Sequence, residues 1–257
     1  MSSNLIIGKN SFVGKSLKKN IKGSYISYKD IKDINFNRYT NIILLSSPQK
    51  YKFKKINNFI FEKKILKKIT SQKLIFFSTS KIYPNKINCS ENTKCSPQNF
   101  YAENKLKLEN LFLKEHSKTL ILRFSNIFDV DSLNKNTFFG QMHQNFFEKN
   151  LIKFDINLNS VRDFISMKSI KKTLMTIENK PINGIYNVGS QIGYTINNII
   201  KFYFGTNVFK IAKVFDKKII KSQTLSVKKI NKILRFKNNE FHKQTKDQLL
   251  KCKKFFF

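Results

Sequence analysis

The sequence predicts an α/β protein: a doubly wound parallel sheet, with a smaller α/β lobe towards the C-terminus. Three observations predict it. Apolar runs of strand length alternate with helical stripes through the first half of the chain. The first run, "NLIIG", stops at a glycine just before a helical stripe begins. Runs such as "NIILLSS" and "KLIFFSTS" open with unbroken apolar stretches, as strands covered on both faces must.

"NLIIG" (4–8) reads as the first strand, and Val13, Leu17 and Ile21 then recur every four residues as a helix face. "SYISY" (24–28) and "NIILLSS" (41–47) are the second and third strands. So few residues part them that a helix and a strand must be trimmed there. Ile56, Phe59, Ile60, Leu66 and Ile69 form a helical stripe among lysines. "KLIFFSTS" (73–80) is the next strand, opening into a loop that holds Pro84 and Pro97. Residues 101, 105, 108 and 112 share one helix face, and "TLILRFSN" (119–126) is a further buried strand. Beyond it, "NSVRDFIS" (159–166) and "GIYNVGS" (184–190) read as strands, with helices near 138–149, 167–179 and 195–204. The lysine-rich tail ending "KCKKFFF" is expected to be poorly ordered or docked late.

A formal charge of +33 on 257 residues invites a nucleic-acid partner, because phosphate binding needs Lys and Arg. The lysines are spread over nearly every segment, however, and Arg, the better base reader, occurs only at 38, 123, 162 and 235. Lys, Asn, Ile and Phe dominate while Gly, Pro and Trp are scarce, so the charge reads as compositional drift and no nucleic-acid partner is expected. No apolar run approaches the ~20 residues of a membrane span. The N-terminus does not read as a signal peptide. Cys89, Cys95 and Cys252 have no metal spacing and fit a reducing, cytoplasmic compartment. No metal site is expected.

The loop "GKNSFVG" (8–14) joins the first strand to the first helix. A dinucleotide site needs a tight turn there and backbone N–H groups aimed at a pyrophosphate. Gly8 supplies the turn and Gly14 the close helix–strand approach, with Ser11, Phe12 and Val13 lining the loop. The middle small-residue position is Ser11 rather than Gly. The other reading is an ordinary turn.

"FYAENKLKLEN" (100–110) sets Tyr101 and Lys105 one helical turn apart. Spacing alone decides nothing, because Tyr25/Lys29, Tyr28/Lys32 and Tyr51/Lys55 share it in this lysine-rich chain. Context separates them: Tyr101/Lys105 alone begins a helix beyond a strand that ends in Ser and Thr. An ammonium one turn away would lower the pKa of the phenol and fit it for proton transfer.

Several motifs in one order make the chain resemble the extended short-chain dehydrogenase/reductase superfamily, within it the NAD-dependent epimerase/dehydratase family that acts on nucleotide sugars. They are "LIIGKNSFVGKSL", "NIILLSS", "LIFFSTSKIYPN", "SENTKCSPQNFYAENKLKLEN", "LILRFSNIFD", "VRDFISMKSI" and "GIYNVGSQIGYTINNII", covering residues 4 to about 205. The resemblance implies a Rossmann-type domain over residues 1–128, joined by the strands near 159–166 and 184–190. Residues 129–257 would form mainly the substrate-binding lobe and basic tail.

The resemblance further implies hydride transfer with Tyr101 as general acid/base. Thr79 would hold the reacting oxygen, or else cap a turn. Lys105 would also bind the nicotinamide ribose, and Ser46 would face the adenosine side. Asn126 and Arg162 would contact the substrate; their structural alternatives are a turn Asn and a surface salt bridge, for which Asp163 is one candidate partner. Arg123 is left open. Where 4,6-dehydratases carry Asp-Glu after the catalytic Thr, this chain has Ser80 and Lys81, which argues against dehydration. The cofactor is NAD or NADP. Lys29 at the selector position favours NADP, a slip of one residue puts Asp30 there and favours NAD, and the preference is slightly for NADP. The substrate would be a nucleotide sugar serving surface-glycan synthesis, and a homodimer is an open expectation. A non-catalytic dinucleotide-binding scaffold of the same fold is the alternative.

Overall fold

The computed structural model describes residues 3–45, 47–129, 137–235, 243 and 247. Ser46 and the "KCKKFFF" tail lie outside them. The chain divides into two compact units: residues 1–84, 91–124 and 171–188 form the first, and residues 85–90, 125–170 and 189–257 the second.

The first unit is built on a six-stranded sheet. Its strands are β1 (Asn4–Ile7), β2 (Ser24–Ile26), β3 (Asn41–Leu44), β4 (Lys73–Thr79), β5 (Thr119–Phe124) and β9 (Gly184–Val188), in the order β2-β1-β3-β4-β5-β9 and parallel throughout. Its helices are α1 (Phe12–Leu17), α2 (Ile60–Lys68), α3 (Phe100–Glu115) and the later part of α5 (Met167–Ile177). β1, β3 and β5 are buried at every residue, which is why they read as continuous apolar runs. All the strands point the same way, so Gly8 after β1 and Thr79 at the end of β4 lie at one carboxyl edge, where α/β sheets bind ligands.

The trimmed connection is real. Between β2 and β3 the chain makes only 3₁₀ turns at Tyr28–Asp33 and Phe36–Arg38, leaving β2 at the sheet edge. α1 stops at Leu17, short of Ile21, which is buried beyond the helix. α2 starts at Ile60, so Ile56 and Phe59 reach the core from the preceding loop. α3 is capped by Asn99, whose side chain accepts from Ala102 N. It buries Leu108 and Phe112, the latter edge-on to Phe76 at 5.0 Å. Truncating Phe112 to Ala would cost about 3–5 kcal/mol.

The second unit holds β6 (Asn126–Phe128), α4 (Phe138–Lys149), β7 (Leu151–Lys153), β8 (Val161–Ser166), β10 (Gly193–Thr195), α6 (Ile196–Phe204), α7 (Val208–Ile211), β11 (Lys213–Phe215) and α8 (Lys228–Leu234). β8 pairs parallel with β6 and antiparallel with β10, and β11 pairs parallel with β7. Of the two later strands expected to join the dinucleotide-binding sheet, 184–188 does so beside β5, whereas 161–166 belongs to this separate three-stranded sheet. Strand composition records burial but not the partner. The core of the second unit is aromatic: Phe128, Phe139, Phe164, Tyr203 and Phe204 pack together, all 3% exposed or less.

Candidate active site

The glycine loop is tight. Gly8 has φ +116°, a conformation open mainly to glycine. A Cβ on Gly14 would stand 2.3 Å from the Gly8 carbonyl oxygen, so the loop closes only around glycine there. Ser11 is the helix cap: its Oγ accepts from Gly14 N at 3.0 Å and donates to Gly8 O at 2.8 Å. The serine that replaces the middle glycine is thus bound up in the turn itself. Phe12 and Val13 follow it, half-buried, and among the described residues their N–H groups have no protein acceptor.

Beyond β2 the Lys29 side chain is exposed. Asp30 turns back on the loop. Its Oδ2 accepts from Ser27 N at 3.0 Å and from Lys9 Nζ at 3.1 Å, which together hold the carboxyl below its usual range. The acidic side chain, not the basic one, is thereby fastened to the glycine loop.

Thr79 ends β4 and is 8% exposed. Its Oγ1 accepts from Lys81 N at 3.3 Å, which is the turn-capping alternative; its proton is left to donate. Tyr101 stands in the first turn of α3, partly buried, and Lys105 one turn further, 2% exposed. The Lys105 ammonium is not aimed at the phenol. It donates to Phe77 O at 2.7 Å and lies 4.3 Å from the Phe76 ring centroid and 6.0 Å from that of Tyr101. The expected lowering of the phenol pKa is therefore absent here: burial pushes Tyr101 up to about 12. Burial also draws Lys105 down to about 7, against the carboxylates of Glu62 and Glu109.

Behind this edge runs a buried polar chain, of which the sequence singled out only Arg123, without a role. Ser78 Oγ donates to Glu109, which also accepts from Arg123. Arg123 Nη1 donates to the Tyr83 hydroxyl at 2.7 Å, and Tyr83 donates to Asn187 Oδ1 at 2.9 Å. Arg123, left open by the sequence, is here a structural ion-pair residue.

In the second unit, Asn126 Nδ2 donates to Asp163 O at 2.9 Å. Arg162 makes no salt bridge to Asp163, contrary to its structural alternative. They are neighbours on one strand and point to opposite faces. Arg162 is partly buried, which draws its pKa down from the usual value, with Asp155 acting the other way; the guanidinium stays charged. Asp163 is 2% exposed: Oδ1 accepts from Ser190 N and Oγ, both at 2.8 Å, and Oδ2 accepts from Leu225 N at 3.2 Å. Among the described residues no group of three or more His, Cys, Asp or Glu could hold a metal ion. No helix described is long and apolar enough to cross a membrane.

A parallel sheet with a Gly8–Gly14 turn at its carboxyl edge and a Tyr–Lys helix beyond a Thr-ended strand defines a Rossmann-like protein of the extended short-chain dehydrogenase/reductase type. The model of the NAD dependent epimerase/dehydratase family matches residues 49–189, more than half of the chain, and the chain belongs to that family. Among curated proteins none matches the sequence. Solved structures do resemble it. A UDP-N-acetylglucosamine 4-epimerase from Methanobrevibacter ruminantium, in complex with UDP-N-acetylmuramic acid, is 18% identical with a TM-score of 0.77, over 99% of this chain and 97% of its own. A UDP-glucuronic acid 4-epimerase from Bacillus cereus, in complex with NAD, is 16% identical with a TM-score of 0.75, over 98% of this chain and 99% of its own. A dTDP-glucose 4,6-dehydratase from Bacillus anthracis, also with NAD, is 13% identical with a TM-score of 0.79, over 99% and 96%. At these identities the likeness is one of fold.

Proposed function

We propose that this chain is an NAD(P)-dependent oxidoreductase or epimerase of a nucleotide-activated sugar. The observation that carries the reading is the Tyr101/Lys105 turn of α3 in the same unit as Thr79 and the Gly8–Gly14 loop. The loop fits a dinucleotide: Gly14 leaves a cradle that a Cβ would fill, and the N–H groups of Phe12 and Val13 are unclaimed donors for a pyrophosphate among the described residues. When bound, the nicotinamide accepts or returns a hydride. Tyr101 transfers the proton at the sugar hydroxyl, Thr79 donates a hydrogen bond that holds the reacting oxygen, and Lys105 supplies positive charge behind the phenol. Asn126 and Arg162 are the proposed substrate contacts, a planar guanidinium suiting a diphosphate.

For the cofactor, the tie between Asp30 and Lys9 of the glycine loop favours NAD over the slight preference for NADP that the sequence suggested. Two of the similar structures hold NAD as well. Ser80 and Lys81 offer no carboxylate for dehydration, so 4-epimerisation or ketone reduction is the proposed chemistry, in the cytoplasm and in the service of surface glycans. Turnover in a panel of UDP-, GDP- and dTDP-sugars tests the reading. Dinucleotide binding without any turnover would favour the scaffold alternative.

A further inference from the structure

Glu62 is 0% exposed, on a helix otherwise crowded with lysines. It falls on the apolar stripe with Phe59, Ile65 and Ile69, a core position where a carboxylate is costly unless it has a partner. Its Oε2 accepts from the Tyr51 hydroxyl at 2.8 Å, while Oε1 has no hydrogen-bond partner among the described residues. The Tyr51 segment is clamped to α3 by Asn104, the residue just before Lys105. Asn104 Nδ2 donates to the carbonyls of Tyr51 and Lys54, each at 2.8 Å, and its Oδ1 accepts from Ile56 N at 2.9 Å. Tyr51 shares its core with Phe76, the ring against which the Lys105 ammonium lies.

Lys105 is buried too, its ammonium 4.3 Å from the Phe76 ring of the core that holds Tyr51 and Ile65, and its bond to the Phe77 carbonyl does not neutralise its charge. Burial favours the amine. Of the charges acting the other way, Glu62 is the stronger and Glu109 the weaker. Glu109 is already engaged by Arg123 and Ser78. Burial in turn raises Glu62, with the Tyr51 bond, Lys105 and Lys50 acting against it. The remaining groups around the pair are Tyr101 on α3 and Tyr28, which acts on Tyr51.

We propose that Glu62 is a positioning residue for the reaction: held by Tyr51, its carboxylate keeps Lys105 protonated, so that an ammonium rather than an amine stands one turn from Tyr101. The inference rests on the reading of Tyr101 and Lys105 as the proton-transfer pair.

The experiment has two arms. The first needs no substrate: unfolding midpoints are compared for wild type, Glu62→Gln, Lys105→Met and the double variant at neutral pH. A charge pair predicts that Glu62→Gln lowers the midpoint strongly with Lys105 present and little in the Lys105→Met background. Additive losses overturn the proposal. The second arm measures the pH profile of turnover on the sugar panel. In Glu62→Gln the alkaline limb should move to lower pH by about one unit, the smaller end of what a nearby opposite charge does. Tyr51→Phe should move it less and in the same direction, and Glu62→Asp should restore part of the shift. Lower turnover with an unmoved limb overturns the proposal, because structural damage reduces the rate without changing a titration. If Glu62→Gln does not fold, Tyr51→Phe carries the same test. Coupled midpoints in a wild type that turns over no sugar would uphold the charge pair and sink the proposed function instead.

Discussion

Arg123 donates to both carboxylate oxygens of Glu109, through Nε at 3.2 and 3.1 Å and through Nη2 at 2.6 Å, with the two side chains only 3% and 1% exposed. The pair ties α3 to β5, and Glu109 also accepts from Ser78, the neighbour of Thr79. Breaking it leaves an uncompensated buried charge. Arg123→Met or Glu109→Gln should destabilise the protein by about 3–5 kcal/mol. Arg123→Lys should recover little, since a point charge cannot bridge both oxygens and still reach Tyr83. Urea denaturation checks both statements.

Tyr101→Phe should abolish turnover, with a loss of about 10²–10⁴-fold, and leave dinucleotide affinity within a few-fold. Under the proposed function the phenol would carry the proton, while the Gly8–Gly14 loop would hold the cofactor. A variant keeping more than about a tenth of the activity excludes that role for Tyr101.

Gly14→Val should lose dinucleotide binding, because the Cβ would meet Gly8 O at 2.3 Å and force the loop open. Calorimetric titration of wild type and variant decides it. An unchanged isotherm removes the loop from the site.

Asp30→Asn should weaken NAD about tenfold, the loss of one charged hydrogen bond to a ribose hydroxyl. Lys29→Ala should leave the ratio of NAD to NADP affinity untouched, because that side chain stands in solvent. A clear preference for NADP that Lys29→Ala abolishes would return Lys29 to the selector position.

Burial pushes Asp163 up to about 6, above its ordinary 3.8. Between those values the folded chain binds more protons than the unfolded one, so this residue's contribution to stability falls as pH rises from about 4 to about 6 and is flat above. The drop is on the order of 3 kcal/mol. Comparing wild type with Asp163→Asn across that range isolates it, since the variant lacks this slope while the remaining charges are shared.

What the sequence determined by itself is what short-range chemistry encodes. The strands of the first sheet were legible because both of their faces are buried, so that "NLII", "NIIL" and "TLILRF" could be little else. The loop of Gly8 and Gly14 was legible because glycine was forced there by a positive φ and by a carbonyl with no room for a Cβ. The Tyr101/Lys105 turn followed from helical spacing after a Thr-ended strand. Tertiary structure decided what depends on partners distant in sequence. Strands 161–166 and 184–188 look alike in composition, and only packing sends one to β6 and the other to β5. The selector question hung on one residue of register, which no propensity resolves; folding adds a contact between Asp30 and Lys9, 21 residues apart, that spacing does not encode. Glu62 carried a signal, a carboxylate on an apolar stripe, but its meaning lies in Tyr51 and Lys105, which the chain brings to it only on folding. The charge on Lys105 is likewise a property of the folded core, because desolvation and the carboxylates around it do not exist in the extended chain.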